Sequence, residues 1–160
     1  MNVRLALSTT LLVLAAGCEA TRDITSNPGN RTDFIAGETY RLKQPVFLFK
    51  HDKNDPKGTP ALAELGFSGT PKDLSEFRSQ ASANPQVAGL LMPGELVRVT
   101  KFIEDKSLTL GTFLEVFAVV TSGTHKNSVV ELQLIAKKGY LPSQAFVDPA
   151  YLEPSGTESK

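Results

Sequence analysis

Few side chains in this sequence have the types and spacing that chemistry needs. Cysteine occurs once, at Cys18, and histidine twice, at His51 and His125. A zinc site takes three or four ligands at workable spacing, and this set does not supply them. His51-Asp52 and Asn54-Asp55 gather nitrogen and oxygen donors as a calcium loop does. Pro56, however, stands where that loop needs its glycine, and no acid closes it. Ser68 in Gly66-Phe67-Ser68-Gly69 lacks the G-x-S-x-G spacing of a nucleophile elbow, because Thr70 replaces the second glycine. Glu104-Asp105 reads as a pair of carboxylates solvated in a turn. No metal, cofactor or catalytic set is expected, and the chain reads as a non-enzyme.

Cys18 is the one residue whose surroundings specify a reaction. Residues 1–4 carry a single positive side chain, Arg4, and residues 5–16 form an uncharged apolar run. Such a run suits the core of an export signal and falls short of the ~20 residues of a membrane span. Ala15, Ala16 and Gly17 then leave the backbone open to a processing enzyme. The pattern of residues 11–18 resembles the signal of bacterial lipoproteins, with Ala15 where that box prefers leucine. The resemblance implies cleavage after Gly17, diacylglycerol on the Cys18 sulfur and a fatty acid on its new amino group. Several acyl chains, at ~0.8 kcal/mol per buried CH₂, anchor a protein firmly to a bilayer. Acylation also removes a lone thiol that an oxidising compartment would otherwise pair between molecules. Glu19 follows the cysteine where some such lipoproteins carry the aspartate of an inner-membrane retention signal, so the resemblance implies the outer membrane on its periplasmic side. A soluble secreted product cleaved after Ala16 or Gly17 is the alternative.

The rest of the chain must build whatever this anchor carries. It has 160 residues, 41% of them hydrophobic and 21% charged, enough for one domain and a tail. Seventeen basic residues balance seventeen acidic ones, and removing residues 1–17 takes away only Arg4. That balance gives no attraction for phosphate backbones, so no nucleic acid is expected as a partner. Residues 18–36 are polar, contain the turn Asn27-Pro28-Gly29 and sustain no period, which reads as a lipidated flexible tether of roughly 25 Å.

The folded domain is expected over residues 37–152. Residues 45–50 form a β-prone run, and residues 51–58 a loop. Two short helices are expected within an insertion at 50–85, opened by Thr59-Pro60 and by Thr70-Pro71 with threonine caps. From residue 86 the text is mostly strand. Residues 96–101 alternate, residues 112–120 are apolar on both faces and therefore central, and residues 128–135 pair back on them antiparallel. Phe47, Phe49, Val97, Val99, Phe113, Phe117, Val130 and Leu132 are the expected core. Residues 153–160 read as a disordered tail. The class is mainly β, α+β in content, as a small barrel or sandwich.

Residues 139–146, Gly-Tyr-Leu-Pro-Ser-Gln-Ala-Phe, resemble the closing motif of Src-homology-3-type (SH3-like) domains. Residues 90–99 resemble the strand–turn–strand of the same family. The resemblance implies a small SH3-like barrel, with the helical insertion between its first two strands and a one-turn helix opened by Pro142. Ala145 stands where the peptide-binding members carry tyrosine, and the sequence has no tryptophan. Polyproline recognition is therefore not carried over.

Together these readings describe a lipid-anchored protein of the bacterial cell envelope that binds an envelope protein or peptidoglycan without catalysis. Tyr40, Tyr140, Pro142 and Tyr151 are the candidate binding residues, because tyrosine can face solvent while burying its ring. An inhibitor or immunity-type lipoprotein acting through the 50–58 loop is one alternative, and an envelope hydrolase is another. Cys18→Ser should abolish incorporation of labelled fatty acid and release the chain from the membrane fraction. Retained label would overturn the anchor.

Overall fold

The computed structural model describes residues 20–50, 58–67, 70–80, 86–107 and 111–156. Among them are eleven strands and one α-helix. The strands are β1 (Ala20–Asp23), β2 (Thr39–Leu42), β3 (Val46–Phe49), β4 (Ala61–Ala63), β5 (Val87–Leu91), β6 (Leu96–Ser107), β7 (Gly111–Val120), β8 (Val129–Glu131), β9 (Lys137–Lys138), β10 (Ala145–Phe146) and β11 (Leu152–Pro154), and the helix is α1 (Leu74–Gln80). Nine strands form one sheet in the order β11-β2-β6-β7-β8-β4-β3-β5, with β1 also on β6; β9 and β10 form a separate hairpin.

The class is mainly β, as expected, but the sheet is open. Its path ends at β11 on one side and β5 on the other, so the expected closed barrel does not form. A three-residue β11 ending in Pro154, which has no N–H to donate, is built as an edge. The two halves of the sheet join through β4 and β8, which share the single parallel pair Ala61 and Glu131. Where Pro142 was expected to open a one-turn helix, residues 141–144 make a turn closed by the Gln144 amide donating to the Leu141 carbonyl.

Strand β6 is the long spine. Val97 and Val99 face the core, and then Thr100 is an extra residue opposite β7, a β-bulge that lies between Val99 and Lys101 in the register. Beyond it the parity switches, and Phe102 and Glu104 point inward. The core itself is built from Val46, Leu62, Leu91, Val97, Val116 and Leu132 among others. On β7 the inward residues are Leu114, Val116, Ala118 and Val120. Phe113 and Phe117, expected in the core, lie half-buried on the opposite face.

Residues 20–36 of the segment expected as a tether are tied to the sheet, although most of them are exposed. Ala20–Asp23 pairs antiparallel with residues 103–106 of β6, and Ile24 and Phe34 are buried. All four side chains of β1 are exposed, so backbone pairing holds it and no apolar pattern marks it. Within the insertion, residues 61–63 are a strand and not a helix. They are fully buried between β3 and β8, and a short apolar run fits either structure. The insertion also follows three strands rather than one. Helix α1 forms as expected, with Phe77 against Phe47 at 5.2 Å between ring centres. Its cap is Asp73, whose carboxylate accepts from the Glu76 amide, whereas Thr70 donates back to the Phe67 carbonyl. The expected strand 128–135 stops at Glu131, and a turn closed by the Ile135 amide on the Leu132 carbonyl follows. Glu153 and Pro154, expected in the tail, belong to the sheet.

The parity switch commits a carboxylate to the interior. Glu104 is buried, pairs with Arg31 and lies 3.3 Å from the Lys106 ammonium. Arg31 thereby fastens the N-terminal segment to the spine across 73 residues of sequence. Removing one partner of a buried pair exposes the other to the full desolvation penalty. Arg31→Ala should cost about 2 kcal/mol, with Lys106 retaining part of the pairing, and appear as a lower urea midpoint at unchanged slope.

Candidate ligand cleft beside strand β7

Strand β8 covers only part of the free edge of β7. After Glu131 the ladder makes one more bond, from the Leu132 amide to the Val116 carbonyl, and the chain turns away. The rest of that edge is met by the β9–β10 hairpin, where the Leu114 amide donates to the Pro142 carbonyl at 3.4 Å. Between hairpin, turn and strand lies a cleft of about 610 Å³. Phe113, Leu114, Leu141, Pro142 and Ala145 give it apolar walls. Asp105 and Glu115 stand on the sheet side, and Lys137 and Lys138 on the hairpin side.

Gly139 lets the two arms of the hairpin approach each other closely. A Cβ there would come within 2.5 Å of Gln144 and 2.8 Å of the Phe146 ring. Tyr140 and Leu141 are consequently carried on a narrow tip, Tyr140 wholly exposed and Leu141 at 57%. A second cleft on the other face of the hairpin is lined by Asp33, Phe146, Val147 and Pro149, and Tyr140 borders both.

Strand pairing sets the electrostatics. Asp105 is opposite Phe113, and Glu115 is the next residue of β7 on that face. Neither carboxylate has a hydrogen-bond or ion-pair partner among the described residues. Burial raises the Glu115 carboxyl above its ordinary value, and the Asp105 charge raises it further. Glu131, opposite Phe117 on the same face, is pushed up to about 7 by burial and then by Glu115. The floor of the cleft therefore favours positive charge, while its outer wall offers two lysines to negative charge. No three His, Cys, Asp or Glu side chains among the described residues are grouped to hold a metal ion.

Of the residues singled out from sequence, Tyr140 and Pro142 meet in this cleft. Tyr40 does not: it is 2% exposed, stacks edge-on against Phe34 at 5.4 Å, and its hydroxyl accepts from the Ile35 amide. Tyr151 is half-buried elsewhere, and its hydroxyl donates to Glu64 at 2.7 Å. Burial and that carboxylate push its pKa up to about 12. Gly17, Cys18, Ser68 and the 51–57 stretch of the loop lie outside the described residues. His125 packs in the β7–β8 turn, where its ring takes the space a Cβ on Gly89 would need. The pair Glu104-Asp105 lies within strand β6 and not in a turn, with one carboxylate buried and the other in the cleft. Asp105, Glu115 and Lys137 were not legible as a site, because strand register rather than linear spacing brings them together.

The chain matches no family model, no curated protein and no solved structure.

The raised carboxyl at Glu131 sets a pH dependence. A group held above its ordinary value of 4.5 keeps its proton more tightly when folded. Stability present below about pH 4.5 is therefore lost as pH rises towards about 7. Melting temperature followed by circular dichroism should fall across that window. Glu131→Gln should flatten the fall and raise the melting temperature at pH 8 by about 3 °C. An unchanged slope would dissociate Glu131 from it.

Proposed function

We propose that this chain is an exported, lipid-anchored protein of the bacterial cell envelope, held at Cys18 on the periplasmic side of the outer membrane, and that it binds an extended peptide without catalysis. The cleft beside β7 carries this reading. Its apolar walls are flanked by unpaired acids on the sheet side and two lysines on the hairpin side. A peptide with amine and carboxylate groups along an apolar body complements that arrangement. Two envelope ligands share this chemistry: a segment of an envelope protein and the stem peptide of peptidoglycan. The SH3-like relationship belongs to the same proposal and rests on residues 139–146 and 90–99. The unmatched tyrosine position at Ala145 argues against a polyproline ligand.

The test uses full-length protein carrying Cys18→Ser, which stays in solution, and purified cell-wall sacculi. Co-sedimentation that weakens about tenfold in Glu115→Gln, a loss of ~1.4 kcal/mol, would identify the stem peptide. Capture only by an envelope protein extract, with the same dependence on Glu115, would identify a protein ligand. Binding to neither would overturn the proposal. Release of soluble wall fragments would overturn its non-catalytic part.

A further inference from the structure

Strand β1 begins two residues after the proposed anchor cysteine, and its first residue lies one rung from the last described β6–β7 pair, Ser107 and Gly111. Ala20 pairs with Lys106, and Lys106 pairs with Thr112, so these three residues form one rung of β1, β6 and β7. Only Glu19 separates Cys18 from that rung, a reach of at most ~7 Å. The β9–β10 hairpin docks at the same end, because Pro142 accepts from Leu114, two residues along β7 from Thr112. Its tip presents Tyr140 wholly exposed and Leu141 at 57%. Exposed tyrosine beside an aliphatic side chain suits the boundary between lipid headgroups and acyl chains.

We infer that the end of the sheet bearing Ala20, Lys106 and Thr112 rests on the bilayer surface, with Tyr140 and Leu141 at headgroup level. The inference builds on the proposed anchor at Cys18. It deepens that reading by putting the cleft, whose Asp105–Phe113 rung is the next one along, close to the membrane surface. A domain on a tether of 18 residues would not be held there. Here the packing of β1 removes the slack.

The experiment uses the full chain, lipidated in cells and reconstituted into phosphatidylcholine–phosphatidylglycerol vesicles that carry a headgroup quencher. With Cys18 acylated, a fluorophore can be attached at Lys106→Cys, or at Thr112→Cys if the first variant folds poorly. Lys126→Cys reports the opposite end of β7, about 27 Å away. Quenching should be several-fold stronger at position 106 than at 126. Inserting about twelve Gly-Ser residues between Glu19 and Ala20, roughly 20 Å of coil, should bring the two towards equality. Tyr140→Ala with Leu141→Ala should reduce quenching at 106. Equal quenching in a lipid-labelled, vesicle-bound protein would overturn this inference and leave the anchor standing. Absence of lipid on Cys18 would overturn both. An unchanged ratio in the Tyr140 and Leu141 variant would remove the hairpin tip from the contact.

Discussion

One unpaired residue on β6 determines what each face of the sheet is made of. Without the bulge at Thr100, the parity of Val97 and Val99 would carry Lys101, Ile103 and Asp105 into the core and turn Phe102 outward. The bulge lets the spine keep an apolar interior past its midpoint. It also turns Glu104 inward, where the carboxylate is tolerable only because Arg31 and Lys106 reach it. The same switch turns Asp105 towards the face that carries Phe113 and Glu115. Interior ion pair and cleft acid are thus two results of a single backbone irregularity.

The cleft is the space left by a strand that stops early. β8 pairs over three residues and then folds away, burying Leu132 and Ile135 instead of continuing along β7. A hairpin with two residues in each strand stands in for it. The arrangement joins a rigid wall to a slight one. β7 is paired along its whole length to β6, whereas the hairpin, itself closed tightly at Gly139, holds on to β7 through few backbone bonds. Elements with so little buried backbone lie at the low-stability end of a structure, and ligand-binding segments are commonly drawn from there.

Legibility in the sequence followed how local each determinant is. The mainly-β class, the central position of β7, its antiparallel pairing to β8 and the helix after Pro71 all rest on alternation or on start signals within a few residues. β1 is invisible in the sequence because its side chains are all exposed and its bonds come from β6, eighty or more positions away. β4 was misread because Ala61, Leu62 and Ala63 are compatible with helix or strand until two neighbours bury them. Tyr40 looked amphipathic, yet its hydroxyl found a backbone donor inside the fold. Half of the cleft, Tyr140 and Pro142, came from a local motif. The acids opposite them came from register, which linear spacing does not encode.

The way β1 is attached also matters when the chain is under load. Four residues with no buried side chain are held to β6 by backbone bonds and one exposed ion pair, Asp23 with Lys101 at 4.0 Å, and the strand begins at the residue nearest the point where residues 18 and 19 would transmit tension. The next firm holds are Ile24 in the core and the grip of Arg31 on Glu104. A pull through the N-terminus therefore meets a weak fastening before a strong one. Peeling β1 would lengthen the connection by about 13 Å while the remaining sheet stayed folded, so the strand would act as an extensible link between residue 19 and the rest of the sheet.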